Sequence, residues 1–412
     1  MKNCIVIIIC SLVLSSCSPE MSEEDKIIAQ LKLEVTEDLT ENILPFWIKN
    51  SPDPSGGFYG RLNFDGIPRA DAYKGGILNA RLIWTFSSAY RLLKEDRYLE
   101  MANRAQQYFL KHFIDYEYGG SFYTVNADGT PLSMRKDTYQ NAFAIYGLSE
   151  HYRATGNKES LNAAVSIYRK IIEHAYDTVN GGFIESFTRE WEMVEVKYPK
   201  TMNTNLHVLE ALTNLYRVWN DEGLKKHLAE EIYIMSNKVL DQNTWHEQLY
   251  LSMDWQNQRI IDSYGHDIEF SWLLVEAAEV LGDEDILNDT KQIAVNLVST
   301  QLEEGVDING AMYYEKEGEH LNSNFEWWPQ AETVVGCLNA WQISKDRKFL
   351  DAAVKNWEWI KNNMIDREYG EWYSNVTPDG KPQKNRVKAD HWRCPYHNSR
   401  MGFEILTRFP NK

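Results

Sequence analysis

Three histidines stand at corresponding places along this chain. His207, His266 and His397 each fall near the start of a predicted helix and sit among other polar residues. An imidazole with an ordinary pKa of about 6.5 takes or gives a proton at neutral pH without special help, so such a set suits proton-transfer chemistry. A lone helical histidine is more often a packed core residue; three at equivalent positions reverse that weighting. His266 and Glu269 are three residues apart and share a helix face. Glu269 could therefore hold one imidazole nitrogen and fix the tautomer of the other. Asn203 and His207 are four apart and share a face of another helix. Further polar and aromatic residues occupy the corresponding starts: Asn79 and Arg81, then Asp137, Tyr139 and Asn141, then Asn205, and later Trp327, Trp328, Glu332, Trp392 and Arg400.

These residue types leave several chemistries open. Glu269 and Glu332 could form the opposed carboxylate pair of a glycoside hydrolase, although the histidines would then be idle. The tryptophans could bind a sugar without catalysis, since aromatic faces suit the C–H patches of sugar rings and the chain carries 14 Trp and 23 Tyr. A zinc site on His207, His266 and His397 lacks a metal-ligand spacing, so no metal is expected. Phosphate-loop and dinucleotide glycine motifs are absent, and no cofactor is expected. The net charge of −17 and the lack of a basic run argue against a nucleic-acid partner. Past the N-terminal segment only Cys17, Cys337 and Cys394 remain, which is no disulfide framework.

An internal repeat positions these residues. Apolar stripes begin near Leu99, Leu161, Leu224, Leu287 and Leu350, spaced by 62, 63, 63 and 63 residues, each behind an acidic or capping cluster. In the second copy Leu161, Ala164, Val165, Tyr168 and Ile172 lie on one helix face. A second element keeps the same period: Gly56-Gly57-Phe58, Gly119-Gly120-Ser121 and Gly181-Gly182-Phe183, with weaker copies at Gly310 and Gly370 and a copy without glycines near Trp245. These read as short hairpins. Each unit is hairpin, inner helix, outer helix. A first helix around Glu23 to Ile48 and a last around Pro395 to Thr407 pair to close the ring. The expected fold is all-α: an (α/α)6 toroid, a barrel of six helix pairs, with short β-hairpins at one rim. Closure is preferred to an open solenoid, which exposes an apolar face at each end.

The N-terminus reads as a leader. Met1-Lys2-Asn3 is followed by an apolar run from Cys4 to Leu14, too short for the roughly 20 residues of a spanning helix. Leu14-Ser15-Ser16-Cys17 resembles a bacterial lipobox. The expected division is a signal peptide over 1–16, lipidation at Cys17, a tether over 17–25 and one domain over 26–412. This places the protein in the bacterial cell envelope, touching membrane through its lipid alone, as a monomer.

Seven segments carry a specific resemblance: Asn42-Ile43-Leu44-Pro45-Phe46-Trp47, Asn79-Ala80-Arg81-Leu82-Ile83-Trp84, Lys136-Asp137-Thr138-Tyr139-Gln140-Asn141, Met202-Asn203-Thr204-Asn205-Leu206-His207, Tyr264-Gly265-His266-Asp267-Ile268-Glu269, Trp327-Trp328-Pro329-Gln330-Ala331-Glu332 and Trp392-Arg393-Cys394-Pro395-Tyr396-His397. Together they resemble the N-acylglucosamine 2-epimerase superfamily, and within it the cellobiose 2-epimerase branch, over essentially everything past the leader. The resemblance implies that His266 and His397 are an acid–base pair and that Arg81, Tyr139, Asn203, His207 and Glu269 line the site of a reducing-end sugar. Trp392 and one of Trp327 and Trp328 would stack on sugar rings, with Glu332 beside them. The implied reaction inverts C2 of the reducing-end sugar of a β-1,4-linked disaccharide through ring opening and an enediolate. Arg81 would stabilise the enediolate oxygens, Glu269 would support His266, and His207 would orient a hydroxyl or share proton transfer. An aldose–ketose isomerase of the same superfamily shares the enediolate and stays open as the alternative.

Overall fold

A computed structural model describes residues 21–410. The leader, Cys17 and the first part of the tether lie outside the described residues. Helix α1 (Glu23–Glu37) runs through a π-helical turn at Asp38–Ile43 into α2 (Leu44–Asn50), forming one rod. Then follow α3 (Gly76–Leu93), α4 (Asp96–His112), α5 (Thr138–Thr155), α6 (Lys158–His174), α7 (Met202–Tyr216), α8 (Glu222–Ile234), α9 (Tyr264–Leu281), α10 (Glu284–Glu304), α11 (Trp327–Ser344), α12 (Arg347–Trp359) and α13 (Tyr396–Arg408). Helices α3, α5, α7, α9, α11 and α13 each pack on the next, and α13 packs on α3, so the inner ring closes. The first rod packs on α13, the first-with-last pairing that the repeat implied. This is the expected (α/α)6 toroid.

The two helix sets differ because their surroundings do. Inner helices are enclosed on every side: α5 is buried from Thr138 through His151. A helix apolar or buried all round has no polar face to show, which is why the inner segments carry little amphipathic signal. Outer helices alternate buried and exposed residues, and four of the five clusters that marked the repeat prove to hold their N-caps, α4 alone starting without a side-chain cap. Asn157 accepts from the amides of Glu159 and Ser160, Asp221 from Leu224, Asp283 from Asp285 and Ile286, and Asp346 from Lys348. No helix among the described residues is long and apolar enough to cross a membrane.

Six tight antiparallel turns follow the outer helices, at Pro52↔Phe58, Ile114↔Ser121, Tyr176↔Phe183, Leu240–Asp241 with His246–Glu247, Val306↔Met312 and Ile365↔Trp372. Where the fourth copy lacks glycine, Trp245 itself takes φ 58°, matching Gly57 at 61° and Gly120 and Gly182 at 70°. The short strand before each inner helix then pairs with the next unit's rim: Lys74–Gly75 with Thr124–Val125, Lys136–Asp137 with Ser186–Phe187, Lys200–Thr201 with Tyr250–Leu251, Ile261–Asp262 with Lys316–Glu317, and Phe325–Glu326 with Asn375–Val376. Leu62↔Ala389 joins the last unit to the first. The rim is thus stitched all the way round.

Two buried contacts recur in the stitching. One inner-helix side chain holds the hairpin behind it: Asn141 Oδ1 accepts from the Ser121 amide at 2.9 Å, Asn205 from Phe183 at 2.8 Å, Asp267 from Glu247 at 2.8 Å and Gln330 from Met312 at 2.9 Å. Asn79, Asn141 and Asn205 stand at corresponding inner-helix starts, yet Asn141 and Asn205 turn away from the ring's centre to satisfy these backbone amides, and Asn79 donates to its own Gly75 carbonyl. The second contact is a lysine–aspartate pair hidden from water: Lys74–Asp53, Lys136–Asp115, Lys200–Asp177 and Lys388–Asp366, all at 2.7–2.8 Å. Each lysine sits on or beside the strand that leads into an inner helix, so it ties the helix start to the preceding turn.

Candidate active site

Because all six inner helices start at the stitched rim, their first turns face one hollow. A cavity of about 250 Å³ is lined by Arg81 of α3, Tyr139 of α5, Asn203 and His207 of α7, His266 and Glu269 of α9, Trp327 and Trp328 of α11, Trp392 in the loop before α13, and His397 of α13. The structure therefore brings ten of the expected residues to one place. Glu332 does not line the cavity; it lies behind His397. Both members of the Trp327-Trp328 pair face the hollow. The Trp328 ring lies 4.6 Å from His266 and 5.4 Å from His397, so the two imidazoles share one indole as neighbour. Arg393 covers Trp327 at 4.4 Å.

All three histidines are held in the same manner. Nδ1 of His207 lies 2.9 Å from Glu210 Oε2, Nδ1 of His266 lies 2.7 Å from Ser263 Oγ, and Nδ1 of His397 lies 2.7 Å from Glu332 Oε1. With each Nδ1 committed, Nε2 is the nitrogen left for a ligand. The expected pairing of Glu269 with His266 is not formed. Ser263, in the turn that enters α9, reaches the ring first, and Glu269 is drawn down to Arg400 instead.

Arg400 organises the layer beneath the cavity. Its guanidinium meets Glu210 at 2.5 Å and Glu332 at 2.8 Å, and also bonds Glu269 and the hydroxyl of Tyr396. Trp272 donates to the other oxygen of Glu332 at 2.9 Å. Glu269, Glu332 and His397 place their donor atoms within 4.8 Å of one another, close enough for a cation, and the guanidinium already supplies that charge. One fixed cation serves three carboxylates, so they cannot all ionise equally. Burial opposes ionisation of Glu210, but Arg400 and the His207 contact outweigh it and hold the carboxylate down to about 2. Burial pushes Glu269 up to about 7, with Glu332 adding to the rise, and burial likewise raises Glu332 against the pull of Arg400.

The imidazoles are pushed the other way. Burial, then the neighbouring His207, lowers His266 to about 3; burial, then Arg400 and Arg81, holds His397 well below the usual range. Both rings are neutral at neutral pH. Arg81 donates to the hydroxyl of Tyr139 at 2.7 Å and to the Trp392 carbonyl at 3.2 Å, while its guanidinium stacks 4.1 Å over Phe143. Five buried wall atoms have no partner among the described residues: Arg81 Nε, Asn203 Oδ1, Glu269 Oε2, Glu326 Oε2 and Trp327 Nε1. Unpaired buried polar atoms are costly, and a ring of them is what a hydroxyl-rich ligand would satisfy. An outer cavity of about 430 Å³ shares Tyr139, Asn203, His266 and Trp392 with the inner one and adds Tyr198, Tyr250, Arg135 and Glu185.

Sequence reasoning did not assign Glu210, Ser263, Trp272 or Tyr396 to the site, and it named Arg400 only as one more polar residue of the last unit. Glu210 was reachable, since His207 and Glu210 repeat the i, i+3 spacing of His266 and Glu269. Trp272 and Arg400 act from a second layer that helix spacing does not reveal.

The N-acylglucosamine 2-epimerase (GlcNAc 2-epimerase) family matches residues 57–399. The chain is 44% identical to the cellobiose 2-epimerase of Bacteroides fragilis over 389 residues, covering 91% of this chain and 98% of that one. It is 38% identical to the cellobiose 2-epimerase of Ruminococcus albus, over 91% of this chain and 98% of the other. The solved cellobiose 2-epimerase of Bacillus thermoamylovorans superposes with a TM-score of 0.90 at 39% identity, covering 92% of this chain and all of that one. With a family match over residues 57–399, relatives 38% and 44% identical over nearly their whole length, a closed ring of helix pairs and a common hollow, the chain belongs to the N-acylglucosamine 2-epimerase family and is a carbohydrate epimerase of the isomerase class.

Proposed function

We propose that the enzyme inverts C2 of the reducing-end sugar of a β-1,4-linked disaccharide, turning cellobiose into glucosyl-mannose or mannobiose into mannosyl-glucose. The observation that carries this reading is the pair of neutral imidazoles, His266 and His397, packed against the same Trp328 ring in a pit rich in unpaired hydrogen-bonding atoms. The inner cavity takes the reducing sugar and the outer one its neighbour, with Trp392 at the boundary. All three relatives described above carry the name cellobiose 2-epimerase, which supports a disaccharide of this kind.

Ring opening exposes an aldehyde and makes C2–H acidic. His266, neutral and open at Nε2, takes that proton. Arg81 lies across the hollow as a fixed cation for the enediolate oxygens. His397 returns a proton from the opposite face without ever becoming an imidazolium. When the raised carboxyl of Glu332 is protonated, it donates to Nδ1 and leaves Nε2 carrying hydrogen; as Nε2 gives up that hydrogen, Nδ1 takes the proton of Glu332. The proton on His266 leaves to solvent in the outer cavity, and a solvent proton restores Nε2–H of His397 as Nδ1 hands its own proton back to Glu332. With roles exchanged, the same parts run the reaction backwards. Hydrolysis fits poorly, because Glu269 and Glu332 both bond the same nitrogen of Arg400 and so cannot stand on opposite sides of a glycosidic bond.

An NMR time course with cellobiose in D2O tests the reading. Deuterium at C2 of a newly formed mannose unit supports it; a ketose product establishes the isomerase instead, and an unchanged spectrum with binding leaves a sugar-binding protein.

A further inference from the structure

We infer that the face of the ring opposite the stitched rim rests on a lipid bilayer, with an apolar groove beside Met21 as the docking surface. The inference builds on the sequence expectation of a lipid at Cys17 and is independent of which sugar the enzyme converts. The groove, of about 750 Å³, runs between α1 and the end of α13 and is lined by Ile28, Leu33, Trp341, Leu406, Phe409 and Pro410, with Met21 at its mouth. Leu33 is 62% exposed and Met21 51% exposed, so an apolar edge stands open to its surroundings. Asp25, Lys32 and Arg408 also line it, with Lys32 donating to the Phe409 carbonyl at 2.5 Å and Arg408 to Glu404, Asn339 and Gln342, so both cations lay their stems along the groove while their charged ends are held by the protein.

The position of the groove fixes what covers it. Trp341 lies near the end of α11, and Leu406 to Pro410 lie at the end of α13 and just past it, whereas the site uses the starts of those helices. From His397 to Phe409 the chain climbs roughly 18 Å at 1.5 Å per residue. Cys17 precedes Met21 by four residues, which span at most about 14 Å when fully extended. A lipid on Cys17 therefore brings the bilayer to the groove's own end of the ring and leaves the sugar pit opening away from the membrane. One acyl chain holds a protein weakly, and a second contact is what makes such an anchor firm. The exposed edge of Met21 and Leu33 supplies that contact within the tether's reach.

The test uses the full chain, processed in a bacterial host and reconstituted into phosphatidylethanolamine–phosphatidylglycerol vesicles doped with a spin-labelled phospholipid. Cys337 and Cys394 are buried, so a polarity-sensitive fluorophore is placed on Leu33→Cys in one sample and on Asp128→Cys at a hairpin tip of the rim in another. Several-fold stronger quenching at position 33 than at position 128 supports the inference. Equal quenching on vesicle-bound protein overturns the docking surface, as does protection at position 33 that depends on protein concentration, which would assign the groove to a second copy. Cys17→Ser should release the protein into the soluble fraction with unchanged turnover of cellobiose. Retention on the membrane would overturn the anchor, and loss of turnover by the parent protein would concern the proposed function alone.

Discussion

Nδ1 of His397 and Oε1 of Glu332 are joined at 2.7 Å in a layer closed to solvent, with Arg400 on the far side of the same carboxylate oxygen. The direction of that hydrogen bond decides whether Nε2 of His397 accepts or donates, so Glu332 is a positioning residue whose effect falls on the proton-transfer step. Glu332→Gln keeps the shape but cannot exchange a proton with Nδ1. A positioned acid–base group contributes about 10²- to 10⁴-fold. The expected outcome is a kcat lowered by about 10- to 100-fold with KM little changed, and a His397 whose ¹⁵N signals report a single tautomer across pH. An unchanged kcat would show that His397 works without this partner.

The lowered imidazole pKa values set the pH response. His266 stays neutral down to about 3, so its base form is present throughout the neutral and mildly acidic range. The kcat/KM profile should lack an acid limb at the ordinary imidazole value, activity falling instead toward alkaline pH as the raised carboxyls of Glu269 and Glu332 lose their protons. Stability follows with two opposed signs. Between the ordinary value of 6.5 and about 3, the unfolded chain binds a proton at His266 that the folded chain refuses, so stability falls as pH drops through that window. Glu269 runs oppositely: between 4.5 and about 7 the folded chain holds a proton that the unfolded chain has lost, so its contribution falls as pH rises. Turnover and thermal unfolding measured over the same range separate these effects. Activity lost as the pH drops through about 6.5 would mean that the pit is wetter than its burial implies.

The ring was legible because its signals are local and repeated. Outer-helix caps such as Asn157 and Asp221 carry their residue type for a backbone reason, and that reason recurs about every 63 residues. The pit was legible for a related reason: equivalent helix starts must converge if the ring closes. Helix spacing alone could not say which face of a start points inward. Asn141 and Asn205 are as polar as Asn203, yet they answer to hairpin amides that are distant in sequence. The lysines at 74, 136 and 200 kept the period of the repeat and were passed over, because a lysine is ordinarily a surface residue and its buried aspartate lies 21 to 23 positions earlier. The ionic layer under the pit was out of reach for a different reason. Arg400 meets Glu210 across 190 residues, a relation created by closure of the ring and by nothing local.

Asn141 and Asn203 provide a contrast that tests the division between scaffold and site. Asn141→Ala removes the acceptor of the buried Ser121 amide, and an orphaned buried donor costs about 1–3 kcal/mol. The melting temperature should fall by several degrees while KM and kcat of the folded enzyme stay near the parent values. Asn203 has an unpartnered Oδ1 in the wall of the pit, so Asn203→Ala should leave the melting temperature unchanged or slightly raised and lift KM by roughly 5- to 10-fold, about one hydrogen bond's worth. Calorimetry and initial rates on both variants check the pair. A KM effect at Asn141 equal to that at Asn203 would return Asn141 to the site.

Trp392 stands where the two cavities meet, 48% exposed, with Tyr139 5.4 Å from its ring. A half-exposed indole at such a boundary has apolar surface to offer a sugar and gives up little of its own packing when truncated. Aromatic stacking adds about 0.5–1.5 kcal/mol beyond the area covered, equivalent to a roughly 2- to 12-fold change in affinity. Trp392→Ala retains the main-chain carbonyl that accepts from Arg81, so the cation keeps its place. The expected result is a KM for cellobiose raised by about 3- to 10-fold, a kcat within about twofold of the parent, and recovery of most of the loss by Trp392→Phe. Isothermal titration with the product disaccharide should show the same ratio. A fall in kcat with KM unchanged would instead put the indole against the reacting carbon and move the boundary between the two sugars outward.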